Sequence, residues 1–253
     1  MLVKLPNGLL DGVDYFNVSE VDELSGKQQN YLADKELVVG NIGHIPKILE
    51  DMTLSLQTEQ GMKWQGKISE VIWKLPSGDL ETILVKIREN TYGPRFYHQA
   101  QCTHCEHINS NLRLDLNKLE IDYFPLEQLR KPKVLTLPKA NLEVELKPIF
   151  MQDLFNVIKI TSGKTDKLIT SILAVSIKRI GDNTKVTAKD VDSLKMTDIM
   201  FLQEYMENQK LEGTIDTDVE IECEECHKDF EMKLNVFDPS FFAPTKGSPI
   251  SST

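Results

Sequence analysis

Apolar and polar residues recur along this chain with two different periods, and the period switches several times. Near the start, Leu2, Val3 and Leu5 precede Pro6-Asn7-Gly8, and Val13, Tyr15, Phe16 and Val18 follow it. This pattern predicts a β-hairpin over 1–25 with its turn at Pro6-Asn7-Gly8. Ser25 reads as the cap of a helix running from Lys27 to Val39, with Tyr31, Leu32 and Leu37 along it and a stop near Gly40. A second helix is expected from Ile45 to Leu54, with Pro46 in the first turn, where its missing N–H would have had no helical partner. Trp64 to Trp73 fits a strand and a helix equally well. Leu75-Pro76-Ser77-Gly78 reads as a turn. After it Leu80, Ile83, Leu84 and Ile87 fall at i, i+3, i+4 and i+7, the apolar stripe of a helix that ends near Asn90.

Further on the period shortens to two. Leu112, Leu114 and Leu116 alternate with polar residues, as in a half-buried strand. Val134, Leu135 and Leu137, then Leu142, Val144 and Leu146, predict a second hairpin. It is introduced by Leu137-Pro138 much as the first is by Leu5-Pro6. From Phe150 to Asn208 the helical period returns. Leu154, Val157 and Ile158 form a short stripe, and Lys167 to Ile180 reads as one helix ended by Gly181. Thr187 and Thr197 read as caps of two more, the latter covering Asp198 to Glu207 with Ile199, Leu202 and Met206 inward. Phe230, Met232, Leu234 and Val236 alternate as a closing strand. The polar tail from Ala243, with two prolines and a glycine, is expected to be disordered. The order hairpin, helix, Cys-x-x-Cys occurs in both halves, too loosely for the sequence to establish a repeat.

The expected fold class is α+β: hairpins and a split zinc ribbon, with a helical insertion between its two Cys-x-x-Cys knuckles. The expected divisions are a hairpin-plus-helices region over 1–90, a first knuckle with strands over 91–149, and the helical insertion over 150–210. A second knuckle and closing strand follow over 211–242, and a flexible tail over 243–253.

Composition adds limits. The chain has 253 residues, 40% hydrophobic and 27% charged, enough for a sizeable core without staples. Its formal charge of −10 repels phosphate and makes nucleic acid a poor default partner. No basic segment leads an apolar one at the N-terminus, so no secretory signal is expected. The apolar run from Leu168 to Ile180 is interrupted by Thr170, Ser171, Ser176, Lys178 and Arg179, and is too short and polar to span a bilayer. These readings point to a reducing cytoplasm, where paired Cys-x-x-Cys motifs read as metal ligands before disulfides.

The candidate chemistry lies in four cysteines. Cys102-Thr-His-Cys105 and Cys223-Glu-Glu-Cys226 contain all the cysteines of the chain. Two residues between cysteines let a tight turn aim both thiolates at one ion, and two such knuckles supply the four soft ligands of a tetrahedral zinc. Each knuckle follows an extended lead-in, Arg95 to Tyr97 and Asp218 to Ile221, and precedes an alternating strand, the layout of a zinc ribbon. Cys105 and Cys223 stand 118 positions apart, so a structural zinc at Cys102, Cys105, Cys223 and Cys226 would tie distant parts of the chain together. A redox reading lacks the βα context of thioredoxin-like motifs. A catalytic zinc would keep three protein ligands and an open position. His104, His107 and His227 lie beside the knuckles and remain alternative ligands.

Other signals fall away. Ser162-Gly163-Lys164-Thr165 resembles the end of a phosphate-binding loop, but that pattern needs glycine at 158, where Ile158 stands. His44 and His98 have no carboxylate nearby in sequence and read as structural or surface residues. Phe237, Phe241 and Phe242 read as packing residues. Glu220, Glu222, Glu224 and Glu225 make a nucleic-acid surface at the second knuckle still less favourable. No Ser/His/Asp or Cys/His arrangement points to catalysis.

The ordered features resemble a known family. They are the Leu5-Pro6-Asn7-Gly8 hairpin and the segment Ser25-Gly-Lys-Gln-Gln-Asn-Tyr-Leu-Ala-Asp34. The others are the hairpin at Thr136-Leu-Pro-Lys139, the knuckle Val219-Glu-Ile-Glu-Cys-Glu-Glu-Cys226 and the closing Val236-Phe-Asp-Pro-Ser-Phe-Phe-Ala-Pro244. Together they resemble the baseplate hub and hub-assembly proteins of T-even-type contractile-tailed bacteriophages, over most of the chain. The resemblance implies a non-enzymatic tail protein that is a hub component or helps form the hub, with other baseplate and hub proteins as partners. It implies residence in the host cytoplasm during assembly and in the virion tail if the protein stays. It carries over no catalytic residue. The competing readings are a zinc-ribbon adaptor for nucleic acid or a transcription complex, and a redox or metal-dependent enzyme.

Overall fold

A computed structural model describes residues 1–33, 43–161, 168–208 and 211–243. The fold is α+β with several antiparallel hairpins. Among the described residues the same order of elements runs twice. The first pass begins with β1 (Leu2–Asp11) and β2 (Asp14–Val21), then α1 (Gly26–Ala33) and α2 (His44–Met52), which runs directly into β3 (Thr53–Gln57). β3 completes a three-stranded antiparallel sheet in the order β1-β2-β3. A short α3 (Ile68–Val71) leads to the long α4 (Ser77–Tyr92), and then β4 (Arg95–Gln101) and β5 (Ile108–Asp115) carry the first knuckle at their tip.

A connector follows, with β6 (Ile121–Asp122) and α5 (Leu126–Leu129), and the second pass begins. β7 (Lys133–Thr136) and β8 (Glu143–Leu146) form its hairpin. α6 (Met151–Thr161) and α7 (Leu168–Ser176) follow, and α7 runs directly into β9 (Ile177–Ile180), which completes a sheet in the order β7-β8-β9. A short α8 (Ala188–Asp192) precedes the long α9 (Met196–Asn208). β10 (Thr214–Ile215) pairs with β6, and β11 (Asp218–Glu222) and β12 (Asp229–Lys233) carry the second knuckle.

The same local anchor fixes each pass. In the first, Asp79 near the start of α4 accepts the backbone N–H groups of Asn7 at 2.7 Å and Gly8 at 2.9 Å. In the second, Asp198 near the start of α9 accepts those of Lys139 at 2.8 Å and Ala140 at 3.1 Å. An acidic residue in a first helical turn also suits the helix dipole. Each long helix is thereby hung from the Leu-Pro segment of its own hairpin.

Several sequence expectations change here. Pro6-Asn7-Gly8 is not the turn of the first hairpin. It is an irregularity inside β1, where the register shifts between Lys4 and Leu9, and the chain reverses at Gly12-Val13 between paired Asp11 and Asp14. The N–H groups that a turn would use go to Asp79 instead. Lys167 to Ile180 is not one helix: Ile177–Ile180 pairs with β8 as a strand, since Ile177 and Ile180 bury on the sheet's inner side. Thr197 lies inside α9 and does not cap it, whereas Thr187 caps α8 with a full capping box to Asp190. Ser77 and Gly78 already belong to α4. Trp64 to Trp73 contains α3 and a 3-10 turn over Ile72–Lys74. The end of the helix read from Lys27 to Val39, the Ser162 to Thr165 segment and the tail beyond Ala243 lie outside the described residues.

Among the described residues two hydrophobic cores result. The larger surrounds α4, whose Leu80, Ile83, Leu84, Val85 and Ile87 are fully buried. Each such side chain contributes about 1.5–3 kcal/mol of transfer free energy. The smaller core packs Leu135, Val144 and Leu146 of the second sheet against Leu173 of α7 and Leu202 of α9. The knuckle hairpins do not divide the same way. Phe96, Leu112 and Leu114 of the first and Ile221, Phe230 and Met232 of the second all join the larger core. The second hairpin thus leaves the core of its own pass and packs beside its counterpart.

A buried polar junction holds the crossing. The Asn7 side chain donates to the Gly213 carbonyl at 2.8 Å and accepts the Gly213 N–H at 2.6 Å. Ser77 donates to Glu212 at 2.5 Å. Gly78 has no space for a side chain: a Cβ there would lie 2.1 Å from the Gly213 carbonyl oxygen. Farther along α4, the buried Arg88 donates to the Phe241 carbonyl at 3.0 Å and stacks its guanidinium 4.5 Å from the Tyr92 ring centre. That bond fixes the closing 3-10 turn, Pro239–Phe242, so Phe241 and Phe242 are packing residues as expected.

Candidate metal centre

The two knuckles are local copies of one another. In the first, the Cys102 N–H donates to the His107 carbonyl and the Glu106 N–H to the Cys102 carbonyl, at 2.8 and 3.0 Å. In the second, the Cys223 N–H donates to the Lys228 carbonyl and the His227 N–H to the Cys223 carbonyl, both at 3.0 Å. The residue after each second cysteine turns left-handed, with φ of 59° at Glu106 and 54° at His227. That turn aims both thiols of a knuckle the same way.

The hairpins face one another so that the thiols meet crosswise. Cys102 Sγ lies 3.8 Å from Cys226 Sγ, and Cys105 Sγ 3.6 Å from Cys223 Sγ. All four sulfurs lie within 4.8 Å of one another, and all are free thiols. A tetrahedral zinc with bonds of about 2.3 Å to sulfur sets its ligands about 3.8 Å apart. A disulfide would need about 2.05 Å. The donor set therefore fits a single soft cation.

The environments of two of the thiols differ. Backbone N–H groups of Cys226 and Glu225 pull the Cys223 thiol down to about 6. The His107 N–H favours a thiolate at Cys105, but lost solvation and the neighbouring thiols outweigh it and push that group up to about 12. A cation among the sulfurs would offset the repulsion that raises the Cys105 thiol.

Asn109 is the residue that sequence reading missed. It is completely buried on β5, and its side-chain carbonyl accepts the Glu224 N–H at 2.9 Å. Its amide lies 3.8 Å from Cys223 Sγ and 3.4 Å from the Ala100 carbonyl. One side chain of the first hairpin thus braces the second knuckle. It stands out of step with the inward Leu112 and Leu114, so the alternation of the strand gives no sign of it. Two of the histidines beside the knuckles meet other partners: His104 Nε2 meets the Asp229 carbonyl at 2.9 Å, and His227 Nδ1 meets Glu222 at 3.1 Å.

The two-pass architecture, with one knuckle from each pass, covers nearly all of the region that a protein-family model recognises. That model, described as T4 bacteriophage base plate protein, matches residues 35–243. The chain belongs to this family. No curated protein and no solved structure matches it. The match spans both knuckles, both long helices and the crossing at Gly213, so the four-cysteine cluster lies within the base plate protein's family region. No helix among its described residues is long and apolar enough to cross a membrane.

Proposed function

We propose that this base plate protein acts without catalysis in forming the central hub of the phage tail baseplate, as a hub component or as a factor that helps assemble it. One structural zinc, held by Cys102, Cys105, Cys223 and Cys226, pins its two halves into a rigid body. The partners are other baseplate and hub proteins, met in the host cytoplasm during assembly and retained at the tail if the protein stays in the particle. The knuckles act as the two halves of a zinc ribbon split across the chain.

The observation that carries the metal reading is the crosswise approach of two knuckles from distant hairpins, at separations that suit tetrahedral thiolate ligation. The family match carries the baseplate reading. A tie of this kind belongs to a scaffold: a metal with four protein thiolates has no open position for substrate. The strongly acidic second hairpin gives the nucleic-acid adaptor reading no support.

The test is metal content and melting temperature of purified protein, wild-type and Cys223→Ser, joined to tail assembly in infected cells. The expected result is about one zinc per chain, lost in the variant together with thermal stability and with normal hubs. A metal-free, equally stable wild-type protein would overturn the zinc, and normal tails in the absence of the protein would overturn the assembly role.

A further inference from the structure

One groove on this acidic chain is basic. The outer side of the β7-β8-β9 sheet and the turn before it enclose about 480 Å³ lined by Arg130, Lys131, Lys133, Lys147, Lys178 and Arg179. Three of these cations are balanced locally: Lys147 by Asp153 at 2.5 Å, Lys178 by Glu145 at 2.6 Å and Arg179 by Glu143 at 3.3 Å. Arg130, Lys131 and Lys133 pair with no carboxylate among the described residues. Lys133 instead holds its ammonium 5.5 Å from the Phe124 ring centre, at the groove wall.

The hairpin β11–β12 has the opposite imbalance. Its register sets Glu220 directly across from Glu231, and Glu222 directly across from Asp229. Like charges opposed in this way destabilise a strand pair. The hairpin's other side, with Ile221, Phe230 and Met232, is buried, so the four carboxylates form one exposed strip. Nothing in the folding of the hairpin requires that strip to be acidic.

We infer that the basic groove of one copy receives the acidic β11–β12 strip of a second copy of this chain. A concave site with three unbalanced cations meets a raised strip of four carboxylates. Cations from outside the hairpin relieve the repulsion that its own register creates. The net charge of −10 opposes approach at long range, so the contact depends on this local match and not on overall attraction. The inference does not depend on which ion the cysteines hold or on the place of the protein in the baseplate.

Two charge-reversed proteins test it: R130E/K131E/K133E for the groove, and E220K/E231K for the strip. All these residues lie at the surface or half-buried, outside the cysteine cluster. Sedimentation equilibrium of the wild-type protein should show self-association at high micromolar concentration. Each variant alone should associate at least about tenfold more weakly, and an equimolar mixture of the two should regain the wild-type affinity, because the native groove of the strip variant then meets the native strip of the groove variant. Melting temperature and metal content checked alongside show that each variant is folded. A wild-type protein that stays monomeric overturns the inference, even if the groove binds DNA. So does a mixture that associates no better than the separate variants.

Discussion

Asp198 receives the backbone N–H groups of Lys139 and Ala140 as Asp79 receives those of Asn7 and Gly8. The two carboxylates stand near the starts of the two long helices and hang each helix from its own hairpin. Removing one leaves two backbone donors without their acceptor, buried beside Asp79 and part-buried beside Asp198, which costs up to about 3 kcal/mol. Asp198→Ala should therefore lower stability by that amount in urea denaturation and speed hydrogen exchange at Lys139 and Ala140. Asp79→Ala should cost more, since Asp79 also takes the Asn7 side-chain amide. Equal protection of those amides in wild-type and Asp198→Ala protein would contradict the anchor.

Asn109 braces Cys223 and the Glu224 N–H from the opposite hairpin. Asn109→Leu keeps the size of the side chain and removes both contacts. Outer partners of metal ligands typically contribute about 10–100-fold in affinity. Competition with a chelator of known zinc affinity should show a loss in that range, with the four thiols still able to bind. Unchanged affinity would mean that the knuckles hold their geometry alone.

Gly78 and Gly213 touch through backbone. Because a Cβ at 78 would lie 2.1 Å from the Gly213 carbonyl oxygen, Gly78→Ala must push the strand β10 away from α4. Overpacking of this kind costs about 1–3 kcal/mol, although alanine is the better helix former. A thermal melt decides the sign: a stabilised variant would show that helix propensity outweighs the contact.

Burial is the largest cause raising Asp79, Glu81 and Glu212, each to about 7, and the charge of Glu212 adds to the shift of the other two. Their ordinary values are 3.8 for Asp79 and 4.5 for the glutamates. Between those values and about 7 the folded protein holds more protons than the unfolded chain. Its contribution from these groups therefore falls as pH rises through that window and levels off above it. Glu81→Gln combined with Glu212→Gln should flatten the decline, read as the difference in unfolding free energy between about pH 5 and about pH 8. An identical slope in wild-type and variant would remove these glutamates as its source.

What the sequence disclosed and what it hid follow a physical line. The hairpins, the stripe of α4 and the thiol pairs are written in local spacing, and they could be read directly. The turn at Pro6-Asn7-Gly8 was misread because its N–H groups are satisfied by Asp79, 72 positions away for Asn7. Ile177 to Ile180 looked helical because the run before it is helical, and only β8 beside it makes a strand. The second pass showed in the sequence only as a loose likeness, for a similar reason. What the two passes share is element order and two anchoring aspartates, and most side chains on those elements differ. Asn109 looked like an ordinary polar residue on a strand, since its partners come from the other knuckle.

The crosswise pairing of the cysteines also sets an order in time. A nascent chain emerges from its N-terminal end, so Cys102 and Cys105 leave the ribosome while their partners, 118 positions beyond Cys105 for Cys223, do not yet exist. Until Cys226 follows, the first hairpin presents two thiols and half of a coordination shell. An ion that needs all four ligands is captured only when both passes have been made and have met. If the site takes a metal, its loading would thereby be a late event in the birth of the molecule and would mark chains that have folded together at both ends.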